Sequence, residues 1–290
     1  MSDSASPDIF FLPRNGGQRL CIYHAARGPS VRGALVYIHP WAEEMNKSRR
    51  MAALQSRALA AAGYSVLQID LNGCGDSSGD FADATWDRWL DDIADAADWL
   101  TLRTDAPLWL WGLRAGCLLA SQAVARLPQT CAQLYWQPAT SGKVVLQQFL
   151  RLKVAGMLME GGAKGVLNEL RARLAAGDAV EVAGYRLSAG LAHALESATL
   201  APRGVADRLE WLEVSSREDM ALLPASIEAT QTWRDAGWQV RTHVAKGPAF
   251  WQTTEIETAP DLLPVTIDAI DRATAGNSAD VAARGLASTC

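Results

Sequence analysis

The chain has 290 residues, 49% apolar and 20% charged, enough for one large globular domain and too apolar for a disordered chain. Its net charge of −5 comes from 27 basic and 32 acidic residues, with the basic ones scattered, which excludes a nucleic-acid-binding stripe. Cys21, Cys74, Cys117, Cys131 and Cys290 follow no disulfide or metal spacing, and no apolar run approaches the ~18 residues of a spanning helix. The start MSDSASPD is polar and acidic, unlike a signal peptide. A cytoplasmic protein without metal or cofactor is the expectation.

In chain order, residues 9–12 and 20–26 read as two short strands around a turn at Asn15-Gly16-Gly17, and ALVYIH (34–39) as a buried strand. A loop is expected over 40–46. A helix over 47–62 carries Met51, Leu54, Ala58 and Ala61 on one face and ends at Gly63. A strand over 65–71 leads into the glycine-rich loop NGCGDSSGD, followed by a helix over 85–101. The apolar run PLWLW (107–111) meets Gly112, and a helical pattern follows Gly116; a strand is expected over 131–136. Strands alternating with helices about every 30 residues indicate an α/β fold with a mostly parallel twisted sheet and helices on both faces.

From 140 to 202 helical patterns dominate, with Val145, Phe149, Leu152, Gly156 and Met159 at 3–4 spacing. The αβ rhythm then returns: a strand over 209–214, a helix over 224–236, a strand over 238–245 and a closing helix over 262–273. The expected division is a core of 1–139 and 203–273, a helical cap of 140–202 that bounds a pocket, and a small polar tail of 274–290.

A buried strand feeding Gly112-Leu113-Arg114-Ala115-Gly116 and opening a helix has the form of the nucleophile elbow of α/β-hydrolases. The nucleophile position holds Arg114, whose guanidinium stays protonated and cannot attack a carbonyl.

The stretch Ile38–Phe81, containing HPWAEEMNKSRRMAALQSRALAAAGYSVLQIDLNGCGDSSGDF, resembles the exosortase-A system-associated hydrolases, specifically the hydrolase 2 ortholog. The elbow and the late GPAFWQTTEIE continue the resemblance. It implies an α/β-hydrolase-superfamily protein of Gram-negative bacteria, encoded near exosortase and exopolysaccharide machinery, with a protein partner there and no established substrate.

A triad in this fold runs Ser, then Asp or Glu, then His along the chain. The loop after the last strand, Gly247–Trp251, has no histidine, and His243 lies inside the strand before it. The acid position is met by Glu218 or Asp219. Cys117, beyond the elbow, reads as a buried thiol, and Cys74, on the glycine-rich loop, as a thiol with no histidine tied to it. Ser77 and Ser78 read as turn residues. That loop lacks Walker and dinucleotide spacing, so no nucleotide site is expected.

His39-Pro40-Trp41 occupies the place of an oxyanion loop, with His39 ordering it. Glu43, Glu44, Lys47, Arg49 and Arg50 either start a solvated helix or line the pocket mouth, Glu44 and Arg49 being the inward-facing candidates. Arg114 either pairs with Asp219 or Glu44 as a structural ion pair or recognises an anionic group. Trp41, Trp136 and Trp251 suit either stacking on sugar or acyl groups or core packing. The expected function is a non-catalytic binding or accessory protein with a pocket for a small anionic, acyl or glycosyl ligand. The alternative is a hydrolase or acyltransferase with an atypical centre.

Overall fold

The computed structural model describes residues 6–14, 16–158, 165–205 and 207–272. Its strands are β1 (Asp8–Arg14), β2 (Gly17–His24), β3 (Gly33–Ile38), β4 (Tyr64–Ile69), β5 (Leu108–Leu113), β6 (Ala132–Trp136), β7 (Val180–Val182), β8 (Tyr185–Leu187), β9 (Arg208–Ser215) and β10 (Gln239–Lys246). Its helices are α1 (Glu43–Ala61), α2 (Trp86–Thr101), α3 (Gly116–Ala123), α4 (Gly142–Leu158), α5 (Val166–Ala175), α6 (Ala189–Ser197), α7 (Pro224–Asp235) and α8 (262–272). Eight strands form one sheet in the order β1-β2-β4-β3-β5-β6-β9-β10. β2 runs antiparallel to β1 and β4, and the strands from β4 to β10 pair parallel.

Strand alternation sorts the side chains onto two faces. Ala34, Val36 and Ile38 of β3 join a core shared with Leu90 and Ile93 of α2, Leu118 and Leu119 of α3, and Phe149 of α4. Leu35 and Tyr37 join the opposite core, with Met51 and Leu59 of α1 and Leu262 and Ile270 of α8. Both faces of the sheet are covered, as a parallel sheet requires.

Two expectations change. α1 begins at Glu43, where a loop was expected through 46, because Glu43 and Glu44 supply negative charge to the positive end of the helix. The segment between β6 and β9 is not wholly helical: β7 and β8 pair as a hairpin in register Val180↔Leu187. Its turn is Ala183-Gly184, both at positive φ, the two-residue geometry that matches strand twist. The expected tail 274–290 and Met159 lie outside the described residues.

The β5–α3 junction is what positions the site. Arg114 has φ +55°, its N–H donates to the Trp136 carbonyl (3.0 Å), and its own carbonyl accepts from Cys117 N–H (3.1 Å) and Ala139 N–H (3.2 Å). Glycine is required on either side. A Cβ at Gly116 would run into the carbonyl oxygens of Ile38 and His39, and one at Gly112 would lie 2.7 Å from Cys117 Cα.

Candidate functional site

A cavity of about 270 Å³ lies at the carboxyl ends of the parallel strands, where sites of open α/β sheets form. Trp41 from the loop after β3 and Glu43, Glu44 and Lys47 of α1 form one wall. Val145, Gln148, Phe149, Arg151 and Leu152 of α4 form the other, with Gln252 from the loop after β10. Val145, Gln148, Phe149 and Leu152 are spaced i, i+3, i+4, i+7, one stripe of a helix. Lys47 and Arg151 bring cations to a lining that otherwise combines apolar surface with two carboxylates and two amides.

Arg114 connects the two walls. Its Nε donates to Glu44 Oε1 (3.3 Å) and its Nη2 to Gln148 Oε1 (3.1 Å), while the guanidinium lies 5.6 Å from the Trp251 ring centroid. One side chain at the elbow thus ties α1 to α4 across the cavity. Of the partners left open by the sequence, Glu44 takes Arg114; Asp219 instead pairs with Arg217 (3.3 Å) at the surface, and Glu218 is exposed.

Burial pushes the Glu44 carboxyl up from its ordinary 4.5 to about 7; Arg114 opposes the shift and Glu43 adds to it. The folded protein therefore binds this proton more tightly than the unfolded chain does. The stability so gained is fully present below about 4.5 and is lost as pH rises through about 7. A melting-temperature series against pH is expected to show wild type losing stability over that window relative to Glu44→Gln. Parallel curves for the two proteins would rule the shift out.

The other sequence candidates are placed as follows. His39 is buried; its Nδ1 donates to the Pro40 carbonyl (2.8 Å), its Nε2 accepts from Leu71 N–H (3.3 Å), and burial lowers its pKa. It orders the loop as a neutral imidazole. Arg49 pairs with Asp70 (2.8 Å), away from Glu44. Trp41 is buried among Phe81, Trp89 and Phe149 in T-shaped contacts, so it packs in the core while also lining the cavity. Trp251 is buried beside Arg114 and Phe250.

Trp136 is not at the rim. Strand parity sends it to the α1–α8 face, against Trp111 (4.7 Å), with Nε1 donating to Thr266 Oγ1 (3.1 Å). His243 Nε2 meets Glu210 Oε2 (2.7 Å) across neighbouring strands, inside the sheet and not in the late loop. Burial pushes the thiols of Cys74 and Cys117 up, so neither is a ready thiolate. Ser77 Oγ accepts from Leu20 N–H and donates to the Asp70 carbonyl, and Ser78 Oγ accepts from Gln18 N–H, so both are turn anchors.

Sequence reasoning missed Gln148 and Arg151 as site residues. The stripe 145/149/152 is legible as helix; that its polar member Gln148 faces the elbow follows only once α4 is docked. Lys47 and Gln252 are likewise visible in the sequence only as members of a charge run and a loop. Among the described residues, no group of histidine, cysteine or carboxylate side chains is arranged to hold a metal, and no helix is long and apolar enough to cross a membrane.

Comparison with known proteins follows from this geometry. Residues 29–187, more than half of the chain, match the family described as serine aminopeptidase, S33. Among solved structures, the chain is similar to ferulic-acid-bound Est1E of Butyrivibrio proteoclasticus: TM-score 0.66, 14% identity, 92% of this chain and 99% of that one. A soluble variant of monoglyceride lipase from Saccharomyces cerevisiae, in complex with a substrate analog, matches with TM-score 0.62 and 12% identity, over 94% of this chain and 96% of that one. XC6422 of Xanthomonas campestris, described as a serine hydrolase without lid, matches with TM-score 0.53 and 13% identity, over 92% and 95%. At these identities the likeness is one of fold. No curated protein matches the chain. With the strand order, the elbow and this match in hand, the chain belongs to the serine aminopeptidase S33 family of α/β-hydrolases.

Proposed function

We propose that this protein is a ligand-binding member of its family that does not use the serine-hydrolase mechanism, and that its cavity takes a small amphipathic anion with an acyl or glycosyl body. The observation that carries this reading is Arg114 at the elbow, held by Glu44 and Gln148 where a nucleophile would stand. A guanidinium has no lone pair to attack with, and the late loop offers no histidine to a nucleophile. Lys47 and Arg151 supply charge for an anionic group, and Val145, Phe149 and Leu152 supply apolar surface. In this proposal residues 140–202 act as the cap. The resemblance of Ile38–Phe81 suggests a cytoplasmic exopolysaccharide or protein-export setting, by association alone.

The test uses chromogenic acyl esters of graded chain length with wild type and the Arg114→Ala, Glu44→Ala and Cys74→Ala variants. No turnover above buffer is expected from any of them. Laurate, followed by tryptophan fluorescence, is expected to bind wild type, with methyl laurate binding more weakly. Lys47→Gln and Arg151→Gln should each weaken laurate by about tenfold, the worth of one charged hydrogen bond.

A second reading rests on Glu44. A carboxyl with a pKa of about 7 is suited to general acid–base work, and its hydrolase would be an atypical one. Ester turnover that disappears in Glu44→Ala selects this second reading and overturns the first.

A further inference from the structure

A second cavity, about 170 Å³, lies away from the elbow, and its lining includes Asp8, Tyr23, His24, Arg27, Arg57 and Ala60. His24 pairs in register with Val66, near the start of β4, so this cavity is at the amino ends of the parallel strands. It shares no lining residue with the first cavity.

Its central donor is set by a chain of hydrogen bonds. Ser56 Oγ donates to the Ala52 carbonyl (2.8 Å) and so accepts from Gln68 Nε2 (2.9 Å). The remaining Gln68 N–H points to His24 Nε2 (3.3 Å), which must then be the acceptor. The His24 proton is left on Nδ1, where it has no partner among the described residues. His24 as a residue is 5% exposed and lines the cavity. Burial, then the charge of Arg57, lowers its pKa and keeps the ring neutral.

Arg27 and Arg57 line the same cavity as that donor, Arg57 near enough for its charge to act on His24, and among the described residues neither is in an ion pair. Two arginines without an ion pair among the described residues and an N–H donor form a set suited to a tetrahedral oxyanion, which accepts along several directions at once. Asp8 leaves the lining with one positive charge in excess. It opposes a bare anion and accepts from a hydroxyl on whatever group carries the anion.

We propose that this cavity is a second ligand site that binds a phosphate group, free or carried by a small hydroxylated phosphomonoester. Arg27 and Arg57 hold the phosphate oxygens and His24 Nδ1–H donates to one of them. The proposal is independent of the function assigned to the elbow cavity.

Isothermal titration of the full chain with inorganic phosphate and with glycerol phosphate, at constant ionic strength set with chloride, tests it. Binding of at least one probe is expected, and Arg27→Gln and Arg57→Gln should each weaken it by about tenfold. Neither side chain is in the core, so melting temperatures without ligand are expected to stay at the wild-type value. Tighter binding of glycerol phosphate than of inorganic phosphate identifies a monoester as the ligand, and the reverse identifies free phosphate. No heat with either probe, or binding that both substitutions leave unaltered, overturns the proposal.

Discussion

Asp92→Ala is expected to lower the free energy of unfolding by about 3–5 kcal/mol, because it leaves the Arg19 guanidinium buried and uncompensated. Arg19 of β2 and Asp92 of α2 pair at 2.8 Å, each side chain 1% exposed. Asp92 Oδ2 also accepts from Asn72 N–H (2.8 Å), so the same carboxylate anchors the start of the glycine-rich loop after β4. That loop returns to β2 through Ser77 and Ser78, so the substitution loosens β2, α2 and the loop together. Urea unfolding checks the magnitude. The double variant Arg19→Met/Asp92→Leu removes both charges and should recover most of the loss. A single-variant loss below about 1 kcal/mol, the worth of a surface pair, would show that water reaches the ion pair.

Trp136→Ala is expected to cost a similar amount, about 3–5 kcal/mol, with no effect on the elbow cavity's ligand beyond that of reduced stability. The side chain is 1% exposed, in edge contact with Trp111 and Phe250, and its removal empties space between the sheet and α8 that neighbouring rings cannot fill. Thr266 Oγ1 keeps its own bond to the Leu262 carbonyl (2.7 Å), so the loss is mainly one of packing. In a chain of this size each kcal/mol lowers the melting temperature by about 2–4 °C. Laurate affinity measured well below the melting range separates the two roles. A loss of affinity with an unchanged melting temperature would return Trp136 to the binding site.

Local chemistry makes much of this protein legible in its sequence. The alternation of apolar strands with amphipathic helices determines the α/β class, since a parallel sheet needs its crossovers and both faces covered. The elbow is also legible, because the two glycines that frame Arg114 are close in sequence and follow an apolar run, although Gly112 is required by nearby Cys117 and Gly116 by the carbonyl oxygens of distant Ile38 and His39. The same five residues show that no nucleophile stands there.

What escapes a sequence reading is set by contacts between distant parts of the chain. The β7–β8 hairpin is two three-residue strands in a segment of helical neighbours, too short for periodicity to register, and its Ala183-Gly184 turn requires a positive φ at a residue other than glycine. Trp41, Trp136 and Trp251 look alike as rim aromatics in sequence; strand parity and loop path bury all three, Trp136 and Trp251 in the core on the α1–α8 face and Trp41 in the opposite one.

Sequence alone established that Arg114 occupies the elbow and therefore needs a negative or polar partner. Only the tertiary structure decided that the partner is Glu44, 70 positions away, with Gln148 from α4 on the other side. The physical reason is that a largely desolvated guanidinium constrains what must surround it but not where along the chain that group lies. The docking of α1 and α4 over the sheet makes the choice.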